Sequence, residues 1–374
     1  MRVGIFLVMV GRAAAGPETY ELRLVRALAA IDHETEYHVF CLDTAAVQAL
    51  GINQPNFVLH VLSPANRWLS VSLSLPLAIR RYKVELLHAT FTPPPFSPVD
   101  YLFTMHGAVT FSHPHFYSPL VRARLNTLLR RGITKSRLIV CVSEFVKQEL
   151  IERFDVPDER LITVYHGVGD EFRHFPAELA QHEVARNYQL TRPYYLYVGK
   201  LHANKNIVRL VEAFHAFITD TGADHLLVLA GRLVWGSEGI MATVARLDLD
   251  ERVRFIGHRT QAELPALYNA ATAFVFPTLW EGFGLPVVEA MACGTPVIAS
   301  DIACIPEVTG GAALLVNPLS TAALAQAMTD IYNDSELREG LRTCGIMRAR
   351  CFDWHHTATA TLDAYRRIHD LGAR

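Results

Sequence analysis

The sequence predicts an α/β protein made of two doubly wound parallel-sheet domains. Three observations carry that prediction. Short apolar runs of strand character alternate with amphipathic helical stretches along most of the chain, the pattern of β-α-β units. A length of 374 residues is enough for two cores. Hydrophobic residues make up 51% and charged residues 19%, the balance of a folded α/β enzyme and not of a disordered chain.

The first domain is expected over residues 1–170. Val3 to Val8 reads as a buried strand, followed by a loop that holds Gly11 and Gly16 and by a helix from about Glu18 to Ala30, apolar at Leu22, Val25, Leu28 and Ala29. The loop is neither Gly-x-Gly-x-x-Gly nor a phosphate loop, because no Lys-Ser/Thr follows Gly16, which argues against a dinucleotide dehydrogenase and a nucleoside triphosphatase. Further strands are expected at 37–42, 57–62, 86–88, 101–105, 138–142 and 162–164. Ligands of such sheets lie outside the carboxyl ends of the strands. His106 follows directly after one of these ends, where it is either a satisfied structural residue or a site residue. Ser143 reads as the N-cap of the helix after the 138–142 strand.

Residues 171–193 are polar and charged, end in Thr191-Arg192-Pro193, and read as a linker. The second domain, 194–354, opens on the strand Tyr194 to Val198, and Lys200 and Lys205 flank the loop before a helix with Ile207, Leu210, Val211 and Phe214 on its apolar face. Two ammonium groups beside a helix N-terminus make either a diphosphate clamp or two ordinary exposed lysines. Strands follow at 226–230 and 253–256. Then comes the densest stretch: strand Ala273 to Phe276, the string PTLWEGFGLPVVEAMACGTPVIASD, and strand Pro296 to Ala299 within it. Pro286 suits a first helical turn and Gly294 a helix stop. Glu281 and Glu289 flank Gly282-Phe283-Gly284-Leu285. A helix N-terminus suits a phosphate oxygen, Gly284 allows close approach, and a carboxylate can only accept, so two of them there point to sugar or ribose hydroxyls. The plainer reading makes Glu289 a glutamate favoured by the helix dipole.

The net charge of -2 gives no general reason to expect nucleic acid. Six cysteines are scattered without a C-x2-C pair, which suits free thiols in a reducing compartment, and no metal-ligand spacing is present. The apolar start is too short for a secretory signal and no apolar run reaches about 18 residues, so a cytoplasmic location is expected. Between Asp100 and Glu144 there is no acidic residue, but Arg122, Arg124, Arg130, Arg131, Lys135 and Arg137 occur, with Leu120, Leu128 and Leu129 beside them. That stretch is either a solvated helix face or a patch for anionic lipid at the inner face of the membrane.

The string from Pro277 to Asp301 closely resembles the E-x7-E signature of retaining glycosyltransferases of family 4, with Gly282, Phe283, Gly284, Pro286, Ala290, Gly294, Pro296 and Ser300 in the usual places. Thr104-Met105-His106-Gly107 and the run from Val198 to Phe214 resemble further segments of that family. The resemblance implies the GT-B fold, two Rossmann-like domains facing across a cleft, with the final helix (355–374) packing back on the first. It implies transfer of a hexose, leaning to mannose, from a nucleoside-diphosphate sugar to a saccharide or polyprenyl-linked acceptor, with retention and with neither metal nor cofactor. It places Lys200, Lys205 and the backbone of Phe283, Gly284 and Leu285 at the diphosphate, Glu281 and His106 at the sugar, Glu289 at the ribose and Gly16 under the donor phosphates. Lys200 stands where the family usually has arginine, and the usual paired glycines near Gly16 are incomplete. Other GT-B enzymes, such as a sugar-nucleotide epimerase or a phosphorylase, and a non-catalytic partner subunit are the competing readings.

Overall fold

The computed structural model of the chain describes residues 1–12, 16–64, 66, 69–234 and 237–372. The chain divides into two compact units, Met1–Gly167 with Asp353–Arg374, and Val168–Phe352.

The first unit holds seven strands: β1 (Arg2–Phe6), β2 (Glu36–Cys41), β3 (Phe57–Val61), β4 (Leu86–Ala89), β5 (Tyr101–Met105), β6 (Leu138–Cys141) and β7 (Leu161–Thr163). They pair in the order β3-β2-β1-β4-β5-β6-β7. All pairs are parallel, with Val3 beside Tyr37 on one side and Leu86 on the other. Strands covered on both faces are mainly apolar, and β4, β5 and β6 are buried at every residue, the polar His88 and Thr104 included. The final helix, Trp354–Gly372, belongs to this unit. Ala358 and Tyr365 are fully buried on it, and the Tyr365 hydroxyl meets His88 Nδ1 at 2.7 Å.

The second unit holds β8 (Tyr194–Val198), β9 (Leu226–Ala230), β10 (Val253–Phe255), β11 (Ala273–Phe276), β12 (Val297–Ser300) and β13 (Leu314–Val316), paired in parallel in the order β10-β9-β8-β11-β12-β13. β8 carries three fully buried tyrosines whose hydroxyls need partners. Tyr194 donates to the Leu267 carbonyl (2.8 Å), Tyr195 to that of Met328 (2.6 Å) and Tyr197 to that of Lys200 (3.1 Å). Each bond ties the central strand to a different neighbouring segment.

The stretch 171–193, expected as a linker, is built into the second unit. It carries the helix Ala177–Tyr188, with Ala180 and Val184 buried and its charged residues outward. The Phe175 N–H donates to Asn269 Oδ1 (3.0 Å) and the Tyr188 hydroxyl to Glu263 (3.0 Å). The composition shift that suggested a linker is the polar face of this amphipathic helix. The chain leaves the first unit at Gly167 and returns at Asp353.

Candidate active site

In the second sheet the connections from β8 and from β11 depart to opposite sides of an adjacent strand pair, so a crevice is expected at their carboxyl ends. The residues singled out in the second half of the sequence fall on the two loops that leave those ends and on the short helix that follows the second of them. After β8 the chain makes a short turn, Ala203–Lys205, then Asn206 in the left-handed region (φ 61°), then the helix Ile207–Thr221. Asn206 is fixed by donating from Nδ2 to the Pro318 carbonyl (2.6 Å). The Asn204 carbonyl accepts the Leu279 N–H (2.8 Å) and the Thr278 hydroxyl (3.3 Å), and the Thr278 carbonyl accepts the Ser300 hydroxyl (2.6 Å). These bonds join the ends of β8, β11 and β12.

The joined loops set Lys205 Nζ against Glu281 Oε1 in a hydrogen-bonded ion pair, with the two side chains 16% and 19% exposed. Lys205 Nζ also lies 5.5 Å from the centre of the Phe276 ring. Burial pulls the Lys205 ammonium well below its ordinary range and nearby Lys200 works in the same sense, while the Glu281 carboxylate in contact with it favours the charged form. Lys200 itself is exposed. Behind it the chain is tight: a Cβ on Gly231 would stand 1.8 Å from the Gly199 carbonyl oxygen, so that close approach of the β8 and β9 exits accepts only glycine.

After β11 the chain turns at Gly284, whose φ of 91° suits glycine, into the helix Leu285–Ala292 with Pro286 in its first turn. Phe283 and Leu285 are buried, Phe283 edge-on to Phe352 with ring centres 5.6 Å apart. Their side chains therefore anchor the loop, and what they have to offer a ligand is backbone. Glu289 is 4% exposed and accepts a bond from the buried Tyr268 hydroxyl (3.0 Å). That bond orients a carboxylate one turn inside a helix whose start carries the positive end of the dipole.

His106 lies in the first unit at the carboxyl end of β5. Its Nε2 is 2.9 Å from the Thr90 carbonyl, which can only accept, so Nε2 carries the proton and a neutral ring leaves Nδ1 as an acceptor. Burial lowers its pKa to about 4, which keeps it neutral at pH 7. Tyr20 packs edge-on against it at 4.9 Å and His166 lies 5.6 Å away. Beneath them a polar chain runs from Tyr365 through His88 to the Thr104 hydroxyl (2.7 Å), which also meets the Tyr20 hydroxyl (2.9 Å). Gly16, expected in the loop after β1, opens the helix Gly16–Ile31, and residues 13–15 of that loop lie outside the described residues.

Sequence reasoning missed Glu21. It is fully buried, accepts the N–H groups of Val8 (3.1 Å), Met9 (2.7 Å) and Val10 (3.2 Å), and accepts the Thr90 hydroxyl (2.7 Å). It thus holds together the loops after β1 and β4, the pair at which the first sheet reverses direction. The available clue was a carboxylate on the buried face of the helix, between Tyr20 and Leu24.

Comparison with known proteins bears on this arrangement. The model of the family described as "Glycosyl transferases group 1" matches residues 181–346, and that of "Glycosyltransferase Family 4" matches residues 14–172. The "O-antigen chain mannosyltransferase B" of Escherichia coli is 32% identical over 292 residues, covering 77% of this chain and 76% of that protein. Among solved structures, sucrose-phosphate synthase from Thermosynechococcus elongatus superposes with a TM-score of 0.79 at 23% identity, over 99% of this chain and 100% of that one. Anabaena HepE in complex with UDP and glucose superposes with a TM-score of 0.78 at 15% identity, over 98% of this chain and 100% of that one. These relatives favour neither the epimerase reading nor that of a non-catalytic partner.

Proposed function

The chain belongs to glycosyltransferase family 4 and has the GT-B fold, and from that premise we propose that it transfers mannose from a nucleoside-diphosphate sugar to a saccharide or polyprenyl-linked acceptor in surface-polysaccharide synthesis, with retention and without a metal. The observation that carries the proposal is the Lys205–Glu281 pair at the reversal point of the second sheet. As the bond between sugar and phosphate breaks, negative charge grows on the leaving diphosphate. Lys205, Lys200 and the N–H groups at the start of Leu285–Ala292 meet that charge, already oriented before the reaction. Glu281, steadied by Lys205, accepts hydroxyls of the donor sugar, and Glu289, steadied by Tyr268, accepts those of the ribose. In the first unit, His106 offers Nδ1 as an acceptor to a ligand hydroxyl.

The choice of mannose is supported by the Escherichia coli relative, which is named a mannosyltransferase. Among the described residues no helix is long and apolar enough to cross a membrane. The helix Pro119–Lys135 exposes Arg124, Arg130 and Arg131 beside Leu120, which is 82% exposed, and this face suits peripheral contact with an anionic inner membrane.

A thermal-shift screen tests the donor. GDP-mannose is expected to raise the melting temperature by several degrees, because a ligand of the native state stabilises it by mass action. Stabilisation by UDP- or ADP-sugars and none by GDP-mannose would overturn the assignment of mannose.

A further inference from the structure

At the amino ends of β5, β6 and β7, the opposite end of the first sheet from His106, two adjoining hollows open. The larger, of about 550 Å³, is lined by residues that immediately precede these strands and by the end of the final helix. The smaller, of about 360 Å³, shares Asp100 and Lys135 with it and has a wall of Pro94, Pro95 and Pro98. Five cations line the pair, Arg131, Lys135, Arg137, Arg160 and Arg367, against two carboxylates, Asp100 and Glu159.

Three features mark this as more than a basic surface. Arg160 donates to the carbonyls of Ile133 (2.7 Å) and Ser136 (2.6 Å), and Arg367 to that of Glu159 (2.7 Å). Bonds to neutral carbonyls hold both guanidinium groups in place without cancelling their charge. The same Arg160 bonds cover carbonyls at the end of the helix Pro119–Lys135 that would otherwise repel an anion. The third feature is a pair of buried hydroxyls. Ser136, on the wall of the larger hollow, and Tyr101, on the wall of the smaller, are each 4% exposed, and neither hydroxyl has a hydrogen-bond partner among the described residues. A buried hydroxyl without a partner is destabilising, and an ordered water or a bound ion can complete it.

We propose that these hollows form a second anion site, built for a phosphate- or diphosphate-bearing ligand and separate from the crevice at the other sheet. The guanidinium and ammonium groups supply charge, the Ser136 and Tyr101 hydroxyls supply two directed donors, and the proline wall with Phe96, which is 49% exposed, accommodates an apolar substituent. A free diphosphate and the headgroup of an anionic lipid share this chemistry.

Calorimetry with inorganic pyrophosphate on the full chain tests the site. Lys135→Ala/Arg137→Ala should weaken one binding step by at least about tenfold. Tyr101→Phe/Ser136→Ala should weaken the same step several-fold with an unchanged or raised melting temperature, because each change removes only an unpartnered hydroxyl. GDP affinity should be unaltered in both variants. Identical pyrophosphate isotherms in parent and variants would overturn the proposal, as would a fall in melting temperature of the hydroxyl variant without loss of binding. Sedimentation with phosphatidylcholine vesicles containing phosphatidic acid, lost in Lys135→Ala/Arg137→Ala, assigns the phosphate to a lipid headgroup. Pyrophosphate binding without such sedimentation assigns it to a soluble anion, and loss of neither signal in the variants removes the site.

Discussion

Replacing Glu281 by alanine is expected to lower kcat by at least about 100-fold while the chain stays folded. Two charge-assisted hydrogen bonds to donor hydroxyls, at about 1.5–3 kcal/mol each, amount to a factor of roughly 10² to 10⁴ if they act in the transition state. The alanine variant also strips Lys205 of its carboxylate. Leaving a buried charge without its partner costs about 3–5 kcal/mol in general, but burial already draws the Lys205 ammonium down, so Lys205 can shed its proton and limit that cost. The fold is therefore retained and the effect appears in turnover. Glu281→Gln should recover little, since its amide oxygen can accept from the ammonium and from the sugar but carries no charge to strengthen either bond. Steady-state kinetics with thermal melting as the control decides it, and turnover within about threefold of the parent would remove Glu281 from the chemistry.

Acid is expected to destabilise the first unit. His88, His106 and His166 are all held neutral by burial, His88 down to about 3, His106 to about 4 and His166 well below its ordinary value. Below the unfolded value of 6.5 the unfolded chain takes up these three protons and the native chain does not. Glu21 works the other way. Burial raises it to about 7, so between pH 4.5 and 6.5 the native chain holds one proton that the unfolded chain lacks. Three protons less one leaves a net uptake by the unfolded state, and stability falls as pH drops through that window. Across it the loss is on the order of a few kcal/mol, a large share of the stability of many domains. Urea unfolding at several pH values from about 7.5 to about 4.5 measures the slope, and a stability independent of pH there would contradict the buried network.

What could be read from the sequence was local. The β11–helix–β12 unit carries its own instructions within one continuous string: an apolar strand, a glycine at the turn, a proline in the first helical turn and a glycine at the stop. Ser143 as an N-cap was equally local, and it accepts the Val146 N–H at 3.2 Å. The partners that make the site precise are distant in the chain. Lys205 and Glu281 are 76 residues apart, Tyr268 and Glu289 21 apart, and Glu21 and Thr90 69 apart. No periodicity encodes those meetings, because they follow from the order in which parallel strands pair. The misread linker has a different cause: a helix with only Ala180 and Val184 buried shows too narrow an apolar stripe to stand out from its charged neighbours. β13 escaped notice because its three residues, Leu314–Val316, are too few to show an alternation.

A crystal structure of the chain grown with GDP tests the central claim most directly. The account predicts the diphosphate within hydrogen-bond distance of Lys205 Nζ and of the N–H groups that open the helix Leu285–Ala292, with Glu289 accepting from the ribose. A nucleotide bound elsewhere, or a diphosphate there with the Glu289 carboxylate making no bond to the ribose, would contradict it.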